Sequence, residues 1–82
     1  MSDLIGRWVM SGGEEVRVAE FREDGTMSYL IELGGREIAM ELRYRVEGEQ
    51  IVTDRGITSH FRLQNDVLTM EHEGETFTFR RT

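Results

Sequence analysis

The sequence predicts an all-β protein, a small up-and-down antiparallel β-barrel of about eight short strands. Apolar and polar residues alternate in short runs, which glycine or Asn-Asp turns interrupt about every 8 to 12 residues. Each predicted hairpin keeps its apolar face in phase with the next one. The chain has no proline and no shift in composition that would mark a linker, so residues 1–82 are expected to form a single domain.

Each hairpin can be tested for register, because a slip of one residue would move every side chain to the opposite face. The clearest strand is 36-REIAMELRYRV-46, in which apolar residues alternate with charged ones. A two-residue turn at Gly34-Gly35, whose glycines accept the positive φ of a type I′ turn, places Ile31 opposite Ile38. A three-residue loop at 23–25 continues this apolar face to Phe21. Further turns are predicted at 48–49, 54–56, 65–66 and 73–74. Together the six turns give, besides Ile31 with Ile38, the inward pairs Phe21 and Met27, Ala19 and Tyr29, Tyr29 and Met40, Met27 and Leu42, Val46 and Ile51, Thr53 and Ile57, Leu63 and Leu68, Phe61 and Met70, Met70 and Phe77, and Leu68 and Phe79.

A first strand around residues 6–10 completes the set of eight, and closure of the barrel requires it to pair with the last strand. Closure buries the apolar face and also removes exposed strand edges. The two strands run antiparallel, so Trp8 meets Arg81, which shares the inward phase. An arginine over an indole contributes about 0.5 to 2 kcal/mol, and this pair is predicted to plug one end. An open barrel of five or six strands is the fallback if the first or fifth strand does not form.

The composition argues against several classes of function. The net charge is −6, and the ten basic residues are all arginines scattered along the chain, so no nucleic-acid or membrane partner is expected. The absence of cysteine excludes thiol catalysis and favours a reducing compartment. Without a long apolar run or a leader segment, the chain is predicted to be soluble and cytoplasmic. His60 and His72 have opposite phases, so neither a metal nor another cofactor is predicted.

The motif Gly6-Arg7-Trp8 reads as the G-x-W of the lipocalins and their small lipocalin-like relatives, which also carry an arginine near the end of the last strand. Phe21 with 24-DGT-26, and then 44-YRVEG-48, look like the short bacterial lipocalin-like domains. The whole chain resembles this family, which implies an eight-stranded barrel and a small apolar ligand inside it. Short strands and crowded inner positions depart from the family and favour an interior filled by its own side chains.

The inner face becomes polar at the barrel end opposite Trp8, where the loops 11–15, 34–35, 54–56 and 73–74 are expected. A ligand with a polar head and an apolar tail could place its head there. The predicted ligand-binding residues are Arg17, Tyr29, Ile31, Thr53, Ile57, Ser59, His72 and Glu75.

Ser59, His72 and Glu75 also match the residue types of a hydrolase triad. The sequence supplies neither an oxyanion hole nor a sharp turn bearing a nucleophile, and strand ends near solvent are commonly polar. No catalytic residue is therefore predicted.

The predicted outer face carries an apolar stripe where polar residues would be expected. Val18, Leu30 and Ala39 align across three strands, with Val16 beside them. A homodimer contact would cover this stripe and support so small a chain, although Glu32 and Glu37 face one another at its end. Two hypotheses follow: a module that binds a small apolar or amphipathic ligand at the open end, and a structural or protein-interaction module with a filled core that acts as a homodimer.

Overall fold

Eight antiparallel strands follow one another around a closed barrel, which confirms the predicted fold class. The computed structural model describes residues 4–12 and 14–82. Nowhere in these ranges is there a helix with the length and apolar character needed to span a membrane. The strands are β1 (Gly6–Gly12), β2 (Glu15–Phe21), β3 (Thr26–Leu33), β4 (Arg36–Glu47), β5 (Gln50–Thr53), β6 (Thr58–Gln64), β7 (Val67–His72) and β8 (Glu75–Arg81).

The observed registers agree with the predicted inward pairs. Ile31 faces Ile38, and the pairing of every later hairpin keeps the same phase. Gly34 and Gly35 both have positive φ values, 57° and 82°, as a type I′ turn requires. At the 54–56 turn, the Thr53 amide donates to the Ile57 carbonyl over 2.9 Å. Turn chemistry and alternation together therefore determine the register.

Strands β1 and β8 close the barrel, with Trp8 paired to Arg81. Trp8 is fully buried, and its indole N–H donates to the Leu4 carbonyl over 2.9 Å. The Arg81 guanidinium lies over this indole, with its carbon 4.2 Å from the ring centroid. Its Nη1 donates to the Ile5 carbonyl over 2.9 Å. This end of the barrel is therefore filled by an aromatic ring, a cation and the main chain before β1.

Gly6 has a structural reason to be glycine. Its φ is +135°, and a Cβ at this position would lie 2.6 Å from Arg81 Nη1. Only glycine leaves room for the guanidinium on this strained backbone. The G-x-W start and the arginine near the end of β8 are thus parts of one packing arrangement.

The tightly packed core occupies the closed half of the barrel. Phe21 and Tyr44 meet edge to face there, with ring centroids 5.1 Å apart. The largest fully buried side chains are Trp8, Phe21, Phe79, Leu4, Ile51 and Leu68. Towards the other end most inward side chains are only partly buried, apart from Thr53 and Ser59, and that change positions the site.

Strand β4 is much longer than its neighbour β5, twelve residues against four. Only Tyr44 to Glu47 pair with β5, and Asp54 then turns the chain away after its amide donates to the Arg43 carbonyl over 3.0 Å. Residues 36–42 pair with β3 on one side alone. Closure of the barrel was predicted to remove exposed strand edges. The edge of β4 along residues 36–42 nevertheless stays exposed, because β5 is too short to cover it.

Candidate functional site

A cavity of about 180 Å³ opens at the end of the barrel opposite Trp8. Its walls are the inward side chains of the strands where the closed-end core stops. The predicted ligand-binding residues that line it are Arg17, Tyr29, Ile31, Thr53, Ile57, Ser59 and His72. Glu75 is exposed and does not line the cavity. Seven of the eight predicted residues therefore meet around one space.

The cavity is also lined by residues whose alternation predicts that they fill the core. Met40, Met70 and Phe77 line it, together with Phe79 at greater depth. Their alternation showed that they point inward, but it carried no information on whether they fill the interior. The structure shows a space left among them.

Arg17 is held across the mouth of the cavity by three neighbours. Its guanidinium carbon lies 4.4 Å from the centroid of the Phe77 ring. Its Nη1 donates to the Tyr29 hydroxyl over 3.3 Å, and its Nε donates to the Glu15 carboxylate. Burial opposes the charge, but the bonds to Tyr29 and Glu15 outweigh it and raise the pKa of Arg17 above its ordinary value. The mouth therefore carries a permanent cation.

Thr53 and Ser59 supply hydroxyls on the opposite wall, and they are only 8% and 7% exposed. The Thr53 Oγ1 accepts a hydrogen bond from the Ile57 amide over 3.3 Å, so this hydroxyl also supports the β5–β6 turn. Ser59 lies opposite Ile51 in the β5–β6 ladder. Two buried hydroxyls beside apolar side chains can orient the polar part of a small molecule.

His72 lies at the rim, opposite Glu75. Its Nδ1 is 3.1 Å from the Thr58 carbonyl, so this nitrogen carries the proton in the neutral ring, since a carbonyl can only accept. Its Nε2 is 4.0 Å from a Glu73 carboxylate oxygen. Among the described residues no hydrogen bond joins His72 to Ser59. These contacts give no support to a hydrolase triad, which would need the base bonded to the nucleophile.

Charge is distributed unevenly between the cavity and its surroundings. Among the described residues that line the cavity, Arg17 is charged and none is a carboxylate. The surrounding rim carries Glu15, Glu73 and Glu75. No group of three or more His, Asp or Glu side chains within residues 4–12 and 14–82 could hold a metal ion. The site offers hydrogen-bond donors and apolar walls.

The predicted apolar stripe forms on the outer face. Val18 pairs with Leu30, and Leu30 pairs with Ala39. Val9, which was not among the residues predicted for the stripe, faces Val18 from β1 and extends it. Val18 and Leu30 are already half-buried by their neighbours, whereas Ala39 is exposed. Val16 lies beside them, opposite Glu32.

No protein-family model, curated protein or solved structure matches this chain. The resemblance to small lipocalin-like domains therefore stays a prediction.

Proposed function

We propose that this protein binds a small amphipathic molecule in the cavity at the open end of the barrel. The observation that carries this proposal is the cavity itself, about 180 Å³ in a barrel whose other end is tightly packed. An engineered apolar cavity of about 150 Å³ in another protein stays dry and binds benzene. The proposed ligand is thus a single ring, or a short chain of similar size, with a small polar substituent.

The lining sets the orientation of this ligand. Its apolar part packs against Met40, Met70 and Phe79, where flexible methionine side chains adapt to the shape of the guest. Its polar substituent faces Arg17 and Tyr29 and accepts a hydrogen bond from the guanidinium. We place this binding in the cytoplasm on the cysteine-free composition alone.

Titration of ¹⁵N-labelled protein with benzyl alcohol and with benzene tests the proposal. Saturable amide shifts confined to the cavity-lining parts of the strands are expected. Ser59→Leu should weaken binding at least about tenfold, because the larger side chain occupies the cavity. The matched control is Thr58→Leu, which changes the exposed neighbour on the same strand. Shifts spread over the whole surface, or equal affinity in Ser59→Leu, would refute binding in the cavity.

A homodimer across the outer stripe is a second candidate function. The observation that favours it is the alignment of Val9, Val18, Leu30 and Ala39 across four neighbouring strands. Sedimentation velocity over a range of concentrations should then show a dimer that Leu30→Glu dissociates. A wild-type protein that sediments as a monomer throughout would exclude it.

A further inference from the structure

The free edge of β4 exposes backbone groups that a barrel strand normally pairs. The Arg43 amide donates to the Asp54 carboxylate over 3.3 Å and the Arg43 carbonyl accepts from the Asp54 amide, so both point away from β3. The Tyr44 amide points the other way, to the Gly25 carbonyl. Backbone groups alternate between the two sides of a strand, so Glu37, Ala39 and Glu41 direct theirs to the free edge. Within the described residues, no strand or side chain pairs with them there.

Both faces at this edge also lack a neighbour. Ile38 and Leu33 have the inward phase, yet they are 59% and 56% exposed, because the β3–β4 hairpin projects beyond the mouth of the barrel. On the outer face Glu32 and Glu37 stand directly opposite one another, an unfavourable pairing of like charges. No ion pair compensates either carboxylate in the described part of the chain. Glu41, by contrast, has Arg22 at 3.2 Å.

We propose that residues 36–42 form a docking edge for an extended segment of another protein in which apolar and basic side chains alternate. Such a segment would add a strand to β4 and pair with the exposed backbone groups. Alternation would place its apolar side chains over Ile38 and its basic side chains beside Glu32 and Glu37. On the outer face the charge selects this occupant, because an acidic segment would add a third like charge beside Glu32 and Glu37. Arg36, the cation of this segment, has the phase of Ile38 and so belongs to the other face.

A second copy of this chain fits the edge poorly. In an antiparallel edge-to-edge dimer, Glu37 of one copy would face Glu41 of the other or lie diagonal to the other Glu37. Charged residues of one sign along an edge are a common device against self-pairing. Met40 and Leu42 of the same segment line the cavity. The proposal nevertheless requires no ligand there, because it uses the backbone groups of Glu37, Ala39 and Glu41 at the free edge.

The test uses a capped peptide of alternating arginine and valine, about six residues long, the usual length of a strand. Its control is an isomer with the arginines and valines in separate blocks, which has the same charge. The alternating peptide should bind at least about tenfold more tightly, because only it sorts its side chains onto two faces. On binding, the amides of Glu37, Ala39 and Glu41 should become protected from hydrogen exchange.

Two protein variants complete the test. Glu37→Gln should weaken binding about two- to fivefold, the range of an exposed ion pair, whereas Glu23→Gln at the other end of the barrel should not. Ala39→Pro should abolish binding, since it removes an edge donor at a position where proline is tolerated. If that variant does not fold, Glu37→Gln and the exchange data still decide the question.

Several results would overturn the proposal. Equal affinity for the two peptides, or equal effects of Glu37→Gln and Glu23→Gln, would show attraction to the acidic protein as a whole. Absence of binding would refute the docking edge directly. Concentration-dependent protection of the Ala39 amide without peptide would show that a second copy occupies the edge.

Discussion

The two ends of the barrel use the same contact for different purposes. At the closed end Arg81 lies 4.2 Å from the centroid of Trp8, and at the open end Arg17 lies 4.4 Å from that of Phe77. Trp8 is fully buried, whereas Phe77 is only partly buried and lines the cavity. A cation over an aromatic ring can therefore close the end of a barrel or lie at the opening of a cavity. The groups that surround the pair determine which of these it does.

Those partners differ in how freely they move. Arg81 donates to the main-chain carbonyl of Ile5 and lies 3.4 Å from the Asp66 carboxylate. Arg17 is held by the side chains of Tyr29 and Glu15. A carbonyl within the packed main chain cannot rotate away, but side chains at a rim can adopt other rotamers. We infer that the closed end contributes stability, while the open end can rearrange around a guest.

The largest expected effect comes from removing the ring at each end. Trp8→Ala should lower the free energy of unfolding by about 3 to 5 kcal/mol, the usual loss for a large buried aromatic residue. Phe77→Ala should cost clearly less, because its ring is already partly exposed beside a cavity. Urea unfolding followed by far-ultraviolet circular dichroism measures both. If Trp8→Ala does not fold, Trp8→Phe provides the comparison, and equal losses at the two ends would contradict the assignment of the core to the closed half.

The next effect in size is the coupling of each arginine to its ring. A double-mutant cycle of Arg81→Ala with Trp8→Leu, which removes the aromatic face, should give a coupling within the range of about 0.5 to 2 kcal/mol for cation–π pairs. The cycle of Arg17→Ala with Phe77→Leu should fall near the lower end of that range, because water reaches this pair. Arg80→Ala, at an exposed position on β8, is the control and should change stability by less than about 0.5 kcal/mol. Additive losses for Arg81 and Trp8 would mean that their contact contributes nothing.

The sequence was sufficient to predict the register and the meeting of β1 with β8, because turn residues and alternation act locally. It did not show whether the interior is filled, since Met40 and Phe77 point inward in either case. Ile38 was predicted to face inward, and it is exposed because the β3–β4 hairpin projects beyond the mouth, where β5 is too short to flank β4. The turns at 34–35, 48–49 and 54–56 already implied that inequality, so the free edge could have been predicted from their spacing. Whether Glu75 lines the cavity depends on strand tilt, which no local pattern records.

The smallest expected effect is a loss of folding stability at low pH. It distinguishes the two ends of the barrel, because the carboxyl group responsible lies at the closed end. At the closed end, hydrogen bonds from the Thr26 hydroxyl over 2.6 Å and the Thr26 amide over 3.0 Å hold the pKa of Asp24 below its ordinary value. Bonds from Ser28 and Arg22 likewise lower the pKa of Glu41. A carboxyl whose pKa is lower in the folded state stabilises the fold above its unfolded pKa. That contribution is lost as the pH falls through the folded pKa, so stability should decline below about pH 4.

Asp24→Asn should flatten this decline, because asparagine keeps the acceptor for the Thr26 amide and removes the titration. Urea midpoints measured between about pH 5 and pH 2 give the slope. Thr26→Val should flatten it in part, since it removes the hydroxyl donor, and Thr78→Val on an exposed position of β8 is the matched control. An unchanged slope in Asp24→Asn would place the acid sensitivity elsewhere in the barrel. The predicted result would instead assign the acid sensitivity to the β2–β3 turn beside the packed core. The mouth would keep its cation for binding a guest, because the charge of Arg17 persists at every pH in this range.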